Sequence, residues 1–257
     1  MSAKTVLITG STSGIGLAIA REFAKTGYSI AFHGLEKEGP EIAASVGKEF
    51  NVLTFYSSAN LLNPSEIVTL FKESRFKLGN IDILVNNAGI QYVSAIDEFP
   101  LEKWNMLIGL NLTAAFCTTK EVWPDMKRKN WGRIINISSA HGLVASEFKS
   151  AYVASKHGLI GLTKVLALEG ASYGITANAL CPGYVKTPLV EKQITEQAKA
   201  HAISEETVVQ KVMLEKQAIK EFVSGDSIGA LAVFLASDQA SMITGTAIPI
   251  DGGWVAQ

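Results

Sequence analysis

The chain has 257 residues, of which 47% are hydrophobic, and a formal net charge of −1. This composition is typical of a globular protein with a large core, and the balanced charge disfavours a nucleic-acid-binding surface. No apolar run approaches the roughly 20 residues that cross a bilayer, and a strand-like segment begins at Thr5. We therefore expect a cytoplasmic protein with no membrane span and no signal peptide.

The cysteines and histidines indicate neither a disulfide framework nor a metal site. Cys117 and Cys181 are the two cysteines, and both lie in apolar sequence, which suits a reducing compartment. The four histidines, at positions 33, 141, 157 and 201, are scattered and lack the spacing of metal ligands. We therefore expect no bound metal.

A glycine-rich turn follows the first predicted strand (residues 5–9) and precedes the first predicted helix (residues 17–26). Its glycines are Gly10, Gly14 and Gly16, in the spacing G-x-x-x-G-x-G rather than the commoner G-x-G-x-x-G. Between a strand and a helix, such a turn lets a pyrophosphate approach the free N–H groups of the helix N-terminus. This context favours a dinucleotide-binding site over a plain turn.

The end of the second predicted strand (residues 28–33) bears on the choice between NAD and NADP. An acidic residue at this point binds the adenosine ribose, whereas an arginine holds a 2′-phosphate. Here a glycine is followed by Leu35 and Glu36, and Ser13 occupies the loop position where a basic residue could meet the phosphate. Lys37 is the nearest cation, and it is more typical of the solvated helix that follows. The lack of phosphate ligands favours NAD.

Strands alternate with helices along the whole chain, without a proline- or glycine-rich linker or an internal repeat. The remaining predicted strands are residues 52–56, 81–85, 133–138, 175–181 and 247–250. Predicted helices include residues 64–77, 101–129 and 150–173, and a helix that Ser224 caps and that ends at Ala236. This pattern predicts an α/β, Rossmann-like fold: one domain, residues 1–257, on a doubly wound parallel sheet of seven strands in the order 3-2-1-4-5-6-7.

Residues 187–222 differ from the rest of the chain because they are charged, amphipathic and helix-prone, with no strand pattern. They form either a helical lid over the substrate or a solvated helical insertion. Their position directly after the sixth strand, beside the edge of the sheet that binds ligands, favours the lid.

Small and polar residues follow several predicted strands, at the carboxyl edge where open α/β sheets bind ligands. Asn60 follows the third strand and either binds an adenine amino group or caps a turn. Asn86 to Gly89 follow the fourth strand, where a ligand contact is favoured over an asparagine-rich turn, and Pro182 to Val185 could cover a nicotinamide ring. Asn111 lies in an apolar helix and is either a satisfied core amide or the holder of a kink and a water molecule.

A serine, a tyrosine and a lysine form the candidate catalytic group. Tyr152 and Lys156 are four residues apart, which places both side chains on one face of a helix. A neighbouring ammonium lowers the pKa of a phenol, so that the tyrosine becomes a usable general acid or base. Ser139 precedes this helix, where its hydroxyl can hold a carbonyl or alkoxide oxygen. Three groups that polarise one C–O bond indicate alcohol/ketone chemistry.

The chain resembles the short-chain dehydrogenases/reductases over its whole length. The resemblance rests on Thr9-Gly10 through Gly16, Asn86 through Gly89, Asn111, Ser139, Tyr152-x-x-x-Lys156 and Pro182-Gly183. It implies proton transfer by Tyr152, carbonyl orientation by Ser139, ribose binding and pKa lowering by Lys156, and a water relay through Asn111. The cofactor-binding positions that it implies are Gly10, Thr12, Ser13, Gly14, Ile15, Gly16, Leu35, Ala59, Asn60, Leu61, Asn87, Ala88, Gly89, Leu110, Tyr152, Lys156, Pro182, Gly183, Val185 and Thr187.

Within the family, the chain is most similar to members that act on a short 3-hydroxy acid. The similarity lies in residues 86–91, 139–146, 149–152 and 187–193. It implies the NAD-linked, reversible oxidation of (R)-3-hydroxybutyrate to acetoacetate, and a small acid of this kind needs charge-assisted hydrogen bonds for its affinity. Carboxylate ligands would be Gln91, His141, Lys149 and Gln193, and the substrate site would be completed by Ser139, Tyr152, Tyr184 and Trp254.

Some of these residues also have plainer interpretations, and two depart from the family pattern. His141 could hydrogen-bond its own loop, Lys149 could be a surface lysine, and Gln193 could be solvated. Asn60 stands where the family usually has an aspartate, and Tyr184 replaces a tryptophan expected from close relatives. The adenine contact and the packing beside the nicotinamide are therefore the features most open to change.

Two other functions compete with this prediction. A 3-oxoacyl-thioester reductase would use NADPH, and the lack of a basic residue after Thr12 argues against it. A non-catalytic NAD-binding sensor is disfavoured because the catalytic group is intact. The family is usually tetrameric, so we expect a homotetramer, with which the apolar stripes of the long helices are consistent.

Overall fold

The computed structural model describes residues 4–187, 190–191, 194–195, 198 and 203–256. Seven parallel strands form one sheet in the order β3-β2-β1-β4-β5-β6-β7, which confirms the predicted topology. From β1 to β7, the strands are Thr5–Ile8, Ser29–His33, Thr54–Ser57, Ile83–Asn86, Gly132–Ile137, Ile175–Pro182 and Ala247–Ile250. Strand bounds differ from the predicted ones by one or two residues, as is usual at element ends.

Helices cover both faces of the sheet. Among the described residues, we number them α1 Gly14–Lys25, α2 Gly39–Phe50, α3 Pro64–Leu78, α4 Leu101–Ile108, α5 Ala114–Lys129, α6 Ser150–Gly170, α7 Glu205–Val208 and α8 Gly225–Ala236. The predicted cap of α8 is confirmed, because the Ser224 hydroxyl accepts a hydrogen bond from the Asp226 N–H at 3.2 Å. None of the described helices is long and apolar enough to cross a membrane.

The core is divided by the sheet into two layers. Val6 and Ile8 of β1 point to one layer, which α1, α2 and α8 cover, and Leu7 points to the other, under α3, α5 and α6. Phe23 and Phe71 are fully buried, one in each layer, and burial of such a side chain contributes about 1.5–3 kcal/mol. Because both faces are covered, the strands read as continuous apolar runs rather than as alternating patterns.

Residues 101–129 are helical throughout, as predicted, but one turn in the middle is a π turn. A π-helical turn, Gly109–Thr113, separates α4 from α5 and contains the buried Asn111. The Asn111 amide bonds the backbone of Ile90 on both sides, donating to its carbonyl and accepting from its N–H, each at 2.9 Å. A wide turn at this point lets one side chain serve a neighbouring loop, as π turns at functional sites often do.

Residues 187–222 lie only partly among the described residues. Their described portion contains α7 and a second π-helical turn, Val209–Met213, and Val185 pairs with Val223 across an isolated bridge. Val208 and Met213 are buried against a small apolar cluster that includes Tyr184. This part of the chain therefore packs beside the residues that follow β6, at the carboxyl edge of the sheet.

Candidate active site

The turn after β1 has a backbone that glycine makes possible. Gly10 adopts a left-handed conformation with φ of +63°, which residues with side chains rarely take. A Cβ on Gly16 would overlap the Gly10 carbonyl oxygen and would lie 2.5 Å from Nδ2 of Asn87. That amide donates to the Thr9 and Gly10 carbonyl oxygens, each at 2.9 Å. The predicted residues Gly10, Gly16 and Asn87 thus meet in one tight turn.

The N-terminus of α1 is open to an anion. Within the part of the chain that the structure describes, the Ser13 side chain makes no capping hydrogen bond, and the first turn of α1 contains no acidic residue. Its N–H groups therefore remain available to a pyrophosphate. Thr187 approaches from above, with its methyl group 3.3 Å from the position of a Cβ on Gly14. This cradle fits the phosphates of a dinucleotide.

Glu36 closes the turn on the side of β2. Its carboxylate accepts hydrogen bonds from the hydroxyls of Thr12 and Ser13, the second at 3.0 Å. Burial by itself would raise the pKa of Glu36, but these hydrogen bonds, together with those from the backbone of Glu36 and Leu35, outweigh burial and lower the pKa below its usual value. Leu35 is 70% exposed at the rim. A fixed negative charge therefore stands beside the loop position where a 2′-phosphate would need a cation.

Residues after β3 line the expected adenine side mostly through their backbone. Oδ1 of the Asn60 side chain accepts from the Leu62 N–H at 3.0 Å, which is the turn-capping alternative, and the Asn60 backbone N–H donates to Glu66 at 2.7 Å. Leu61 is buried in the second core layer, and Ala59, Ala88 and Leu110 pack against the same layer. Ile15 and Val185 belong instead to the first layer. Side chains of these apolar positions are committed to the core.

Ser139 is buried, and the half-buried Tyr152 lies beside it. Ser139 follows β5 and caps a short 3₁₀ turn, where its hydroxyl accepts from the His141 N–H at 3.1 Å. Tyr152 lies in the first turn of α6. Burial raises the pKa of Tyr152, and its hydrogen bond with Ser139 opposes the rise. A phenol bonded to a hydroxyl that also touches a backbone donor is suited to bind one C–O oxygen.

Lys156 lies on α6, one turn after Tyr152, as predicted. Its ammonium donates to the Ile137 carbonyl oxygen at 2.8 Å and lies 5.6 Å from the centroid of the Tyr152 ring. Burial lowers the pKa of Lys156 to about 8. Burial is the largest influence on the pKa of Tyr152 and raises it, so the lowering of this pKa by Lys156 stays a prediction.

Asn111 and Gly89 connect the lysine to the turn after β4. A Cβ on Gly89 would lie 3.2 Å from Oδ1 of Asn111 and 3.6 Å from Nζ of Lys156. Asn111 also donates to the Ser155 hydroxyl at 3.1 Å. Both alternatives for Asn111 are thus met in part, since its amide is satisfied and it marks a helical distortion beside the lysine.

A series of ring contacts links the phenol to a cation. His141 packs edge-on against Tyr152 and Trp254, with centroid distances of 5.9 and 4.9 Å. Trp254 stacks on Tyr184 at 5.5 Å with an interplanar angle of 10°, and the ammonium of Lys149 lies 5.8 Å from the Tyr184 ring. Lys149 and Tyr152 therefore flank one continuous wall.

The cation faces a cavity of about 1020 Å³. Gln91 and Ser146 line it with Lys149, and Lys216 adds a second positive charge to its lining. Burial, followed by repulsion from Lys216, lowers the pKa of Lys149. Phe148 also lines the cavity, with a left-handed φ of +64° that is unusual for an aromatic residue. Gln193, predicted to be a carboxylate ligand, lies outside the described residues.

His141 is buried and electrically neutral at ordinary pH. Burial lowers its pKa to about 3, with a smaller contribution from Lys149. Its Nε2 shares a hydrogen bond with the Ser146 hydroxyl at 2.9 Å, so His141 does bond its own loop while it forms part of the wall. It can therefore offer a substrate a hydrogen bond but no charge.

Comparison with known proteins gives the chain a family. The profile of the family described as short chain dehydrogenase matches residues 4–198. The chain belongs to this family. It is 51% identical over 258 aligned positions to the D-beta-hydroxybutyrate dehydrogenase of Rhizobium meliloti (strain 1021), covering 99% of each chain.

A second relative and a solved structure extend this result. The D-beta-hydroxybutyrate dehydrogenase of Cupriavidus necator is 49% identical over the full length of both chains. The crystal structure of L-sorbose reductase from Gluconobacter frateurii, complexed with NADPH and L-sorbose, is similar with a TM-score of 0.95 and 32% identity, covering 100% of this chain and 98% of that chain. The fold is thus that of the short-chain dehydrogenases across the sheet and its edge.

The segment after β6 contains a positioning residue that sequence reasoning missed in this short-chain dehydrogenase. Gln217 is buried, accepts from the Tyr184 N–H at 3.1 Å, and donates to the carbonyl oxygens of Ile219 and Glu221. It also lies 2.9 Å from a Cβ built on Gly183. Pro182 ends β6 just before this junction. No local sequence motif predicts the role of Gln217, because its hydrogen-bond partners are all backbone atoms and one of them, the Tyr184 N–H, is 33 residues away.

Proposed function

We propose that this protein catalyses the NAD-linked, reversible oxidation of (R)-3-hydroxybutyrate to acetoacetate. The single observation that carries the proposal is the wall of rings from Tyr152 through His141, Trp254 and Tyr184 to Lys149. A short substrate held along this wall would have a proton-transfer group at one end and an anion-binding group at the other. The names of the two most similar relatives reported above support the same activity.

Tyr152 and Ser139 would act on the C3 oxygen. In the oxidation, a Tyr152 phenolate takes the proton of the substrate hydroxyl while Ser139 donates a hydrogen bond to the same oxygen. The oxidised nicotinamide supplies the acceptor for the hydride that leaves C3. In the reverse direction, the Tyr152 phenol returns the proton to the oxygen of acetoacetate. The raised pKa of the free phenol makes a positive neighbour necessary for the oxidation at neutral pH.

Lys156 and Asn111 would provide that assistance. The buried ammonium of Lys156 lies near the phenol ring. It is also 3.6 Å from the position of a Cβ on Gly89, which is itself 3.2 Å from Oδ1 of Asn111. When the cofactor ribose is bound, we expect Lys156 to hold its hydroxyls and to favour the phenolate electrostatically. Asn111 would maintain the π turn and pass protons by way of water.

Substrate affinity would come from the carboxylate. Lys149 supplies the charge, and Gln91 and neutral His141 supply oriented hydrogen bonds, with Gln193 as a further proposed ligand. Trp254 and Tyr184 form the flat apolar surface against which the short carbon chain packs. Charge-assisted hydrogen bonds are about twice as strong as neutral ones, which offsets the small apolar area of the acid.

The proposed cofactor is NAD, bound by the cofactor-binding set given in the sequence analysis. Glu36 supports this choice, because its carboxylate is held by Thr12 and Ser13 beside the ribose position. A carboxylate there accepts from a ribose hydroxyl and repels a 2′-phosphate. We expect Glu36→Ala to raise kcat/KM with NADP about tenfold, while the nearby exposed Glu38→Ala leaves it unchanged. Equal behaviour of the two variants would refute this role.

A substrate panel tests the activity. Purified protein is assayed with (R)- and (S)-3-hydroxybutyrate and with an acetoacetyl thioester, each with NAD(H) and NADP(H). The proposal expects fast turnover of the (R)-acid with NAD. Rapid thioester reduction with NADPH and no turnover of the acid would identify a 3-oxoacyl-thioester reductase. NAD binding without turnover of any substrate would indicate a sensor.

The proposed assembly is a cytoplasmic homotetramer. Phe116 on α5, and Val165 and Leu168 on α6, are large apolar side chains exposed on the surface of this chain, and Leu168 is 82% exposed. Contact between copies would cover them. Sedimentation analysis should give a mass four times that of one chain, and a stable monomer would refute the assembly.

A further inference from the structure

His33 lies between the two loops that the cofactor would span. It is the last residue of β2 and is 3% exposed. Its Nδ1 accepts from the Gly10 N–H at 3.1 Å, and its Nε2 lies 2.8 Å from the Ala59 carbonyl oxygen. Gly10 belongs to the glycine turn after β1, and Ala59 follows β3. One imidazole therefore bridges three neighbouring strands at their carboxyl ends.

These two contacts define the protonation state of the ring. An imidazole nitrogen that accepts from an N–H carries no proton, and one that faces a carbonyl oxygen must carry a proton. His33 is therefore the neutral tautomer with its proton on Nε2. Its backbone is fixed as well, because its N–H donates to the Ser11 hydroxyl at 3.0 Å and its carbonyl accepts from the Ser11 N–H at 2.7 Å.

We infer that His33 is a positioning residue for the cofactor: its neutral ring sets the spacing between the phosphate-binding turn and the adenine-side loop. The inference rests on the proposed use of a nicotinamide dinucleotide. The two groups that His33 joins are backbone atoms of positions in the cofactor-binding set, Gly10 and Ala59. Loss of the ring leaves the Gly10 N–H and the Ala59 carbonyl, both in half-buried residues, without this partner, and the two loops are then no longer joined.

Acid should weaken the bridge. Burial lowers the pKa of His33, while its hydrogen bond to Ala59 and the nearby carboxylate of Glu36 act in the opposite direction. Tyr56, whose hydroxyl donates to the Gly34 carbonyl at 2.9 Å, and Glu66, which accepts from the Asn60 N–H, are the other titratable groups on the elements around the junction. Protonation of Nδ1 removes the acceptor for Gly10, so the ring can no longer hold both loops.

Two substitutions of His33 test the inference by direct NAD binding in titration calorimetry. His33→Leu removes both hydrogen bonds, and we expect the Kd for NAD at pH 7.5 to rise about tenfold or more. His33→Asn keeps one donor and one acceptor without titrating, and we expect its Kd to stay within about threefold of the wild-type value. At saturating NAD, kcat and the KM for the acid should be unchanged in both. His157→Asn, at an exposed position on α6, is the matched control.

The acid dependence supplies a second readout. Above pH 6.5 we expect the NAD affinities of wild type and His33→Asn to change in parallel with pH, and the wild type should lose affinity faster once its ring becomes protonated. A wild-type protein whose His33 ring is protonated, as followed by its NMR shift, without any loss of NAD affinity relative to His33→Asn would overturn the requirement for a neutral ring. A His33→Leu variant with wild-type NAD affinity, or one that loses kcat at saturating NAD instead, would overturn the positioning role. Wild-type protein that does not bind NAD at all would refute the proposed function rather than this inference.

Discussion

The cofactor end and the substrate end of this site are built in different ways. At the cofactor end, the left-handed backbone position is taken by Gly10, and the polar atoms of the turn pair with Asn87. At the substrate end, a left-handed position is taken by Phe148, next to the cation Lys149. A left-handed conformation costs a residue with a side chain roughly 1–2 kcal/mol. Only the substrate end therefore holds strain of this kind.

This difference indicates which substitutions each end of the site tolerates without loss of the fold. Backbone atoms form most of the cofactor end, so a substitution there alters the turn itself. Stacked side chains form the substrate end, and Tyr184 in place of a tryptophan keeps the stacking with Trp254. We therefore expect substitutions at the cofactor end to affect stability and cofactor affinity together, and those at the substrate end to affect substrate use alone.

The largest effect is expected at Tyr152, where the two ends meet. Tyr152→Phe removes the proton acceptor and keeps the ring that packs on His141. Loss of a general base lowers kcat by roughly 10²- to 10⁴-fold. Steady-state kinetics with the acid and NAD measure this loss, and calorimetry should show unchanged NAD affinity. Tyr173→Phe, in the turn after α6, is the control, and equal activity of the two variants would exclude Tyr152 from catalysis.

A methyl group on Gly16 should damage the cofactor end as a whole. The Cβ of Gly16→Ala would overlap the Gly10 carbonyl oxygen and crowd Asn87. Crowding of this kind costs about 1–3 kcal/mol of unfolding free energy, and NAD affinity should fall with it. Gly161→Ala is the matched control, because a Cβ there meets no described atom within 4 Å.

The control variant Gly161→Ala should have a higher unfolding free energy than the wild type, whereas that of Gly16→Ala should be lower. Gly161 lies within α6, where alanine stabilises a helix by about 0.5–1 kcal/mol relative to glycine. Urea unfolding of both variants gives the comparison. A Gly16→Ala protein as stable as wild type, with intact NAD binding, would contradict the tight-turn interpretation.

Lys149→Ala should separate the two ends. Loss of a charge-assisted hydrogen bond to the carboxylate is expected to lower kcat/KM for the acid roughly 10- to 100-fold. NAD affinity should stay at the wild-type value, because Lys149 lies against Tyr184 and the cavity rather than against the glycine turn. Lys164→Ala, at an exposed position on α6, the helix that Lys149 precedes, is the control. Equal loss of acid use and NAD binding would refute the carboxylate role.

The sequence was sufficient for the sheet because its strands are buried on both faces. Strand order follows from alternating elements and right-handed crossovers, and the glycine turn is a motif that is local in sequence. The π turn at Gly109–Thr113 was not predicted as such, since the polar Asn111 in apolar sequence indicated only a kink as one alternative. A hydrogen bond from Asn111 to the loop at Ile90 is a tertiary contact that no helical period reveals.

The site was predictable where a motif fixes the spacing and less so where charges and burial compete. Tyr152 and Lys156 lie on one helix as predicted, yet the pKa of Tyr152 is raised because burial outweighs its neighbours. Glu36 was noticed in the sequence, but its bonds to the glycine turn depend on how the segment after β2 folds back. No sequence pattern predicts the role of His33, since its hydrogen-bond partners come from the turn after β1 and the loop after β3.

The smallest expected effect is a change in the pH dependence of stability, which tests whether His141 is buried at the substrate end. Its pKa is about 3 in the folded protein and about 6.5 when the chain is unfolded. Below pH 6.5 the unfolded chain therefore binds a proton that the folded protein does not, and stability falls as the pH falls toward 3. Between pH 6.5 and pH 5, His141 alone accounts for a loss of about 2 kcal/mol of unfolding free energy.

Comparison with a variant isolates this contribution from that of other groups, His33 among them. His141→Gln does not titrate, so its unfolding free energy should fall by about 2 kcal/mol less than that of the wild type over the same interval. Urea unfolding at pH 6.5 and pH 5 measures both. Identical losses would place His141 in contact with solvent when folded, and the wall of rings from Tyr152 to Lys149 would then be open at its centre.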